Sequence, residues 1–213
     1  MIAVLRLGAF LGNLVPSFLL PLWLGASIPV AVAIAASCFL LCWWACGRAP
    51  KSVPADPAAC ADAGEIAEKF GVAAPRYVGV IAGDSAGVVR KGLGYAVLLG
   101  ADLPEAHRRA VLAHEVAHVV QGDLFWEPFA DGPLRLLLPV VRMVPPVVLV
   151  CAPLLLFGVR LARTTELRAD RLAASVVSSY PLVLHELASF RTSRPSLLYP
   201  TLDQRQRVAA QRS

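Results

Sequence analysis

Charged side chains are scarce in this 213-residue chain: they make up 16% of it, whereas 57% of the residues are hydrophobic and the mean hydropathy is +0.62. Average soluble domains carry about 25% charged and about 45–50% apolar residues, so the composition indicates a membrane protein. The apolar content also excludes an intrinsically disordered chain. The five cysteines are scattered along the sequence, which excludes a disulfide-stapled secreted domain.

Basic runs interleaved with aromatic residues are absent from the sequence, and this argues against a nucleic-acid partner. The net charge of +5 is unevenly distributed. Segment 48–132 carries eight basic and eleven acidic side chains, whereas segment 133–213 carries eleven basic and four acidic ones. A cation-rich half beside apolar segments favours an anionic lipid bilayer as a partner.

Residues 7–46 carry no charged side chain. A helix needs about 20 apolar residues to cross a bilayer core of roughly 30 Å, so this stretch is long enough for two spans. A break at Gly25-Ala26-Ser27 predicts transmembrane helices at Leu7–Leu24 and Ile28–Cys46. A cleaved signal peptide is the main alternative, but the apolar stretch is much longer than the roughly 7–15 residues of a signal peptide.

The basic residues that flank these spans predict their orientation. Arg6 precedes the first span, Arg48 and Lys51 follow the second, and the turn between them contains no Lys or Arg. The positive-inside rule therefore predicts an integral protein of the cell membrane, with everything after residue 47 in the cytoplasm.

The remaining chain is expected to form an α+β, mostly helical domain with a small β-sheet. Segment 48–64 is rich in Pro, Ala and Asp and is interpreted as a linker. A short helix ending near Gly71 follows, and then three β-strands are predicted at 77–82, 87–90 and 93–99. The predicted division of the chain is 1–47 (two transmembrane helices), 48–64 (linker), 65–132 (first half of the catalytic domain), 133–161 (apolar hairpin) and 162–213 (second half).

A helix predicted over 106–121 carries the motif His114-Glu115-Val116-Ala117-His118. A spacing of four places both imidazoles on one helix face, about 5–6 Å apart at Cβ, so both can reach one ion. Zn²⁺ accepts imidazole nitrogen, and a catalytic zinc site keeps three protein ligands and a water molecule. Glu115 is adjacent to the ion without binding it, as a general base for that water must be.

A third ligand is expected from Thr165-Glu166-Leu167-Arg168-Ala169-Asp170. Glu166 and Asp170 are four residues apart, so one helix presents both carboxylates on one face. We assign Glu166 to the zinc ion and Asp170 to the surrounding shell, where it accepts a hydrogen bond that holds a ligand imidazole in its metal-binding tautomer. The alternative is an amphipathic helix whose carboxylates form ion pairs with neighbouring arginines.

The apolar stretch 134–161 lies between these ligands, and it is too short to cross a bilayer twice. One crossing would place His114 and Glu166 on opposite sides of the membrane. We therefore expect segment 133–161 to form a short helical hairpin, broken at Pro145-Pro146, that re-enters the membrane or packs against the spans.

The chain resembles the membrane gluzincin proteases of the HtpX and CAAX-prenyl-protease type. The resemblance rests on Ala110-Val111-Leu112-Ala113-His114-Glu115-Val116-Ala117-His118, Asp123 and Glu166-Leu167-Arg168-Ala169-Asp170, and it covers residues 65–205. It implies a membrane-anchored, zincin-like zinc endopeptidase that binds one Zn²⁺ per chain through His114, His118 and Glu166, with Glu115 as the catalytic base. The implied partner is a polypeptide substrate, from membrane-associated or unfolded proteins, aligned along an edge strand near 85–90.

The sequence departs from the family pattern where the family tends to place a His-Pro pair with an arginine downstream. This chain has Tyr199-Pro200 there, followed by Arg205. The Tyr199 phenol could donate a hydrogen bond to a tetrahedral oxyanion, or Tyr199 could be an ordinary interfacial tyrosine. His185 is an alternative donor or a structural histidine, and His107 is expected to be solvated.

Two other functions are compatible with these motifs. One is a metalloprotease-like membrane sensor that relays a signal, although no sensor domain fits in 213 residues. The other is a catalytically silent membrane scaffold that keeps the metal-binding fold. The presence of Glu115 beside three candidate ligands argues against the scaffold, because a fold that only binds metal needs no general base.

Overall fold

The computed structural model describes residues 17–19, 21–22, 24–45, 53–130, 145–190 and 200–210. The helices and strands within them are α1 (Ile28–Ala45), α2 (Pro57–Lys69), β1 (Val78–Ile81), β2 (Ala86–Lys91), β3 (Gly94–Gly100), α3 (Glu105–Gln121), α4 (Asp123–Ala130), α5 (Pro145–Val176), α6 (Tyr180–Phe190) and α7 (Leu202–Ala210). Helices predominate and the sheet is small, as the sequence predicts.

The chain divides into two compact units. One unit comprises Met1–Gly47 and Phe125–Thr164, and the other comprises Arg48–Leu124 and Thr165–Ser213. The second unit contains α2, the three strands, α3, α6, α7 and the C-terminal part of α5. All the metal-ligand candidates belong to this second unit.

The sheet has the strand order β1-β3-β2. β1 pairs in parallel with β3, and β2 pairs antiparallel with β3 through a tight turn at Gly92, whose φ of 59° favours glycine. Central strand β3 is almost entirely buried, whereas β2 is half-buried along its length. β2 is therefore an edge strand of the sheet that the described residues form.

Helix α3 is the centre of the second unit, where it packs against α2, β2, β3 and α6. Leu112 and Val116 of α3 are fully buried together with Ile66 of α2 and Val97 of β3. Burying each of these side chains stabilises the fold by about 1.5–3 kcal/mol, so the helix that carries the histidines is rigidly held by its apolar face.

Helix α2 begins within the predicted linker. The Asp56 side chain accepts a hydrogen bond of 3.0 Å from the backbone N–H of Ala59, and Pro57 occupies the first turn. Asp is a favoured N-cap residue and Pro is favoured at the first helical position, so these two residues start the helix. The linker prediction for 48–64 is therefore wrong from residue 57 onward, because Asp56 and Pro57 begin a helix there.

Among the described residues, no helix is both long enough and apolar enough to cross a bilayer. The predictions of two N-terminal transmembrane helices and of an integral membrane protein are therefore wrong. Most of the first predicted span, Leu7–Leu24, lies outside the described residues.

The predicted hairpin over 133–161 is also corrected in the part that the structure describes. Helix α5 begins at Pro145, where the break was expected, and continues without interruption to Val176. Proline is tolerated in the first turn of a helix, so Pro145-Pro146 starts α5 and does not break it. The uncharged part of α5, 145–159, extends only about 22 Å. The N-terminal half of the predicted hairpin lies outside the described residues.

Candidate metal centre

Helix α3 supplies three of the candidate functional side chains. His114 and Glu115 are each 8% exposed, and His118 is partly buried one turn later. The helix ends at Gly122, whose φ of 72° is left-handed and whose backbone N–H caps the carbonyls of His118 and Val119. This glycine turn leads directly into Asp123, the first residue of α4.

Helix α5 supplies the two predicted carboxylates, one helical turn apart. The side chain of Glu166 is 15% exposed and that of Asp170 is fully buried. Just before Glu166, the carbonyl of Thr165 accepts a hydrogen bond of 3.2 Å from Nε2 of Gln121, near the end of α3. This bond joins the two helices at the level of the site and so sets the distance between Glu166 and the histidines.

His114, His118 and Glu166 form a group that could hold a metal ion, with one ligand atom from each lying within 4.8 Å of the others. Nε2 of His114 lies 3.2 Å from Nε2 of His118 and 3.4 Å from Oε2 of Glu166. Nε2 of His118 lies 3.7 Å from Oε1 of Glu166. The two imidazole planes are nearly perpendicular, at 86°, so their nitrogens approach a common point from different directions.

These distances fit a tetrahedral metal site. Ligand atoms about 2.0–2.1 Å from a central ion, at tetrahedral angles, lie about 3.3–3.4 Å from one another. The N···N separation of 3.2 Å is close to that value, as are the separations of 3.4 and 3.7 Å between each imidazole nitrogen and its nearer Glu166 oxygen, Oε2 and Oε1 respectively. Two imidazole nitrogens and one carboxylate oxygen are also a donor set that leaves one tetrahedral position for a further ligand.

On its Nδ1 side, His114 contacts side chains of α5 and α6, and a residue of α7 holds one of them in place. Its Nδ1 lies 3.0 Å from the hydroxyl of Tyr180 on α6 and 3.1 Å from Oδ1 of Asp170 on α5. The Tyr180 hydroxyl donates to Oδ1 of Asp170 at 2.5 Å. Arg205 of α7 donates to the same carboxylate through Nε at 2.9 Å and Nη2 at 2.7 Å. This bidentate pairing fixes the plane of the Asp170 carboxylate.

His118 is held by a single neighbouring carboxylate. Its Nδ1 lies 2.8 Å from Oδ2 of Asp123, and the two side chains are each 14% exposed. A carboxylate on the ring nitrogen that faces away from a metal ion selects the tautomer whose other nitrogen is free to bind it. Each of the two candidate histidine ligands therefore has a carboxylate that can accept a hydrogen bond from its Nδ1.

Burial and opposite charges act against each other on the pKa values in this centre. Burial alone would lower the pKa of His114, but the carboxylates of Asp170 and Glu166 outweigh it and raise that pKa to about 10. Burial would raise the pKa of Asp170, but its contacts with His114 and Arg205 hold it well below the usual carboxyl range. The pKa of Glu166 is lowered in the same way, chiefly by His114. At neutral pH both carboxylates are therefore ionised.

Tyr199, His107 and His185 are the other residues singled out from the sequence. Tyr199 falls outside the described residues, so its assignment to the oxyanion stays a prediction. The expectation that His107 is solvated is wrong: it is 4% exposed, and its Nε2 lies 2.6 Å from Oε2 of Glu186. His185 is exposed, and its Nδ1 lies 3.3 Å from Nε2 of Gln206.

Sequence reasoning missed Tyr180 and gave no role to Asp123. Tyr180 lies ten residues after Asp170, beyond a turn, and no local pattern connects it to the histidines. Asp123 had a usable signal, because a glycine that ends the helix is followed at once by a carboxylate five residues after His118. Arg205 was noted only because of its position in the family pattern.

Comparison with known proteins adds no assignment to this geometry. No family model, no curated protein and no solved structure matches the chain.

Proposed function

We propose that this chain is a zinc-dependent endopeptidase of the gluzincin kind, in which His114, His118 and Glu166 hold one Zn²⁺ and Glu115 is the general base. The observation that carries the proposal is the convergence of two imidazole nitrogens, 3.2 Å apart, on the Glu166 carboxylate, whose two oxygens lie 3.4 and 3.7 Å from them, beside the buried Glu115. Zinc is favoured over Mg²⁺ or Ca²⁺ because two of the three ligand atoms are imidazole nitrogens.

When bound, Zn²⁺ would supply a Lewis acid that polarises a carbonyl oxygen and lowers the pKa of a water molecule. Glu115 follows His114 on α3, and at 8% exposure its carboxylate is largely shielded from bulk water. In the proposed mechanism Glu115 takes a proton from the attacking water and passes it to the nitrogen of the leaving amine.

The proposed substrate is an extended polypeptide segment. β2 is an edge strand that packs against α3, the helix carrying the histidines. An edge strand can accept an extended peptide as an additional strand through main-chain hydrogen bonds, largely independently of side-chain sequence. This placement favours hydrolysis of peptide bonds over that of small esters or amides.

The test compares wild type, Glu115→Gln and a matched control, Glu105→Gln, for zinc content and casein hydrolysis. Glu105 lies on the same helix with a side chain that is 91% exposed, so its substitution should change neither property. We expect about one zinc ion in all three proteins and a fall in rate of about 10²- to 10⁴-fold in Glu115→Gln alone. Equal rates in wild type and Glu115→Gln would remove Glu115 from the mechanism and refute the proposal.

A further inference from the structure

We propose that Tyr180 is a positioning residue for the metal group, whose hydroxyl fixes the His114 imidazole so that Nε2 faces the other two ligand atoms. This inference rests on the metal site of the proposed function and deepens it, because Tyr180 would act on the ion only through His114. Tyr180 is the first residue of α6 and is 3% exposed, so its hydroxyl is shielded from solvent.

The hydrogen bonds of the Tyr180 side chain determine the direction in which its hydroxyl proton points. A tyrosine hydroxyl has one proton to donate, and an ionised carboxylate can only accept. The Tyr180 oxygen lies 2.5 Å from Oδ1 of Asp170, so the hydroxyl proton is directed to that carboxylate. Towards Nδ1 of His114, at 3.0 Å, the same oxygen can then only accept. Nδ1 therefore carries a proton.

A proton on Nδ1 leaves Nε2 as the nitrogen that can bind an ion. That atom is also the one that faces Nε2 of His118 at 3.2 Å and Oε2 of Glu166 at 3.4 Å. If the imidazole turned by 180° about its Cβ–Cγ bond, ring carbons would replace both nitrogens. The Tyr180 hydroxyl would then lose its donor, so it disfavours the orientation that cannot bind metal.

Asp170 alone does not fix the orientation of the His114 imidazole, because its carboxylate accepts hydrogen bonds from several donors. Oδ1 of Asp170 lies 3.1 Å from Nδ1 of His114 but also accepts from Tyr180 at 2.5 Å and from Nη2 of Arg205 at 2.7 Å. The Tyr180 oxygen lies 3.0 Å from Nδ1 of His114, and it also interacts with Asp170 and with the Arg205 guanidinium. Tyr180 thus bridges the imidazole to a carboxylate that Arg205 holds in place.

The experiment measures Zn²⁺ affinity by chelator competition for the full chain, for Tyr180→Phe and for Tyr95→Phe. Both substitutions remove one buried hydroxyl and keep the ring. Tyr95 of β3 is 4% exposed, and no residue in the described part of the chain hydrogen-bonds its hydroxyl, so it is the matched control. Thermal unfolding of the metal-free proteins checks that each variant folds.

We expect Tyr180→Phe to bind Zn²⁺ about 10- to 100-fold more weakly than wild type, because residues that hold a metal ligand in place have effects of that size. Tyr95→Phe should bind like wild type. Unchanged affinity in Tyr180→Phe, or an equal loss in both variants, would overturn the inference while leaving the metal site intact. A wild-type chain that binds no Zn²⁺ would overturn the proposed function as well, so the two failures are distinguishable.

A second measurement needs no substitution. In the zinc-loaded wild type, proton NMR should show the Tyr180 hydroxyl as a slowly exchanging downfield resonance with a nuclear Overhauser contact to the proton on Nδ1 of His114. The expected contact follows from the 3.0 Å separation of the two heavy atoms. An Nδ1 proton on His114 with no contact to the Tyr180 hydroxyl would contradict the role of Tyr180.

Discussion

Nδ1 of His114 contacts side chains from two other helices, α5 and α6, whereas Nδ1 of His118 contacts a carboxylate only five residues further along the chain. Behind His114, the Asp170 side chain is fully buried and Arg205 is 19% exposed. Behind His118, the Asp123 side chain is 14% exposed and follows a single glycine turn. The first ligand therefore depends on the assembled C-terminal helices, and the second depends on local chain geometry.

Two metal ligands four residues apart on one helix can therefore respond differently to substitution of the residues that contact their Nδ1 atoms. A change behind His114 alters a buried ion pair that also joins α5 to α7. A change behind His118 alters one partly exposed hydrogen bond. The variants below are ordered by the size of the effect that this comparison predicts.

The largest effect is expected from Asp170→Asn. It leaves the mostly buried Arg205 guanidinium without its carboxylate, and removing one partner of such a pair costs about 3 kcal/mol. Asp123→Asn should cost about 1 kcal/mol or less, because the amide oxygen can still accept from His118 and only the charge of the carboxylate is lost. Urea unfolding of the metal-free proteins measures both changes in the free energy of unfolding. Equal losses in the two variants would contradict the predicted difference between His114 and His118.

The pH dependence of the Asp170→Asn effect checks its cause. The pKa of Asp170 is lowered in the folded protein, so its contribution to stability is fully present above the ordinary carboxyl pKa of about 4. That contribution is lost progressively as the pH falls below this value. The difference in unfolding free energy between wild type and Asp170→Asn should therefore be smaller at pH 3 than at pH 7.

Metal affinity should rise with pH because a proton competes for Nε2 of His114. The pKa of His114 in the metal-free protein is raised to about 10, so a metal ion must displace one proton at any lower pH. We expect the apparent Zn²⁺ affinity to rise about tenfold per pH unit, or about 100-fold between pH 7 and pH 9. Competition titrations against a chelator of known pH dependence test this, and a flat profile would show that no proton is displaced.

Asp123→Asn should weaken Zn²⁺ binding by about tenfold, the lower end of the range for a residue that orients a metal ligand. The 2.8 Å hydrogen bond to Nδ1 of His118 then has a neutral amide oxygen as its acceptor, which is weaker than a carboxylate. Asp62→Asn is the matched control, because Asp62 pairs with Arg109 on the surface between α2 and α3. Chelator competition at one pH is sufficient, and identical affinities for the two variants would exclude a role for Asp123.

The smallest effect is expected from Gly122→Ala. A Cβ at this position meets no atom within 4 Å, so the cost arises only from the left-handed φ of 72° and should be about 1 kcal/mol. Gly64→Ala is the control: Gly64 lies inside α2 in open space with ordinary helical geometry, so alanine there should stabilise the protein by up to about 1 kcal/mol. Thermal unfolding shows whether each substitution lowers or raises the stability of the protein.

The metal group could be predicted from the sequence because each of its parts is a local pattern. The spacing of His114 and His118 places two imidazoles on one helix face, and Glu166 with Asp170 does the same for two carboxylates. The small sheet was likewise predicted from alternating apolar runs and glycine turns. These features depend on neighbouring residues alone.

The partners of His114 and His107 and the bounds of the helices could not be predicted in this way, because they depend on tertiary contacts or on individual capping residues. Tyr180 reaches His114 only because α6 folds back against α3. His107 is buried and contacts Glu186 of α6, a partner distant in sequence that no local pattern indicates. The linker and membrane predictions relied on average composition over long segments, and such averages do not determine where a helix begins or how far it extends.

X-ray absorption spectroscopy of the zinc-loaded chain tests the central claim most directly, since it reports which atoms bind the ion. We predict one Zn²⁺ per chain with only nitrogen and oxygen neighbours at about 2.0–2.1 Å and the outer-shell scattering of two imidazoles, from His114 and His118. A sulfur neighbour at about 2.3 Å, or the scattering of fewer than two imidazoles, would contradict a site built from these histidines and Glu166.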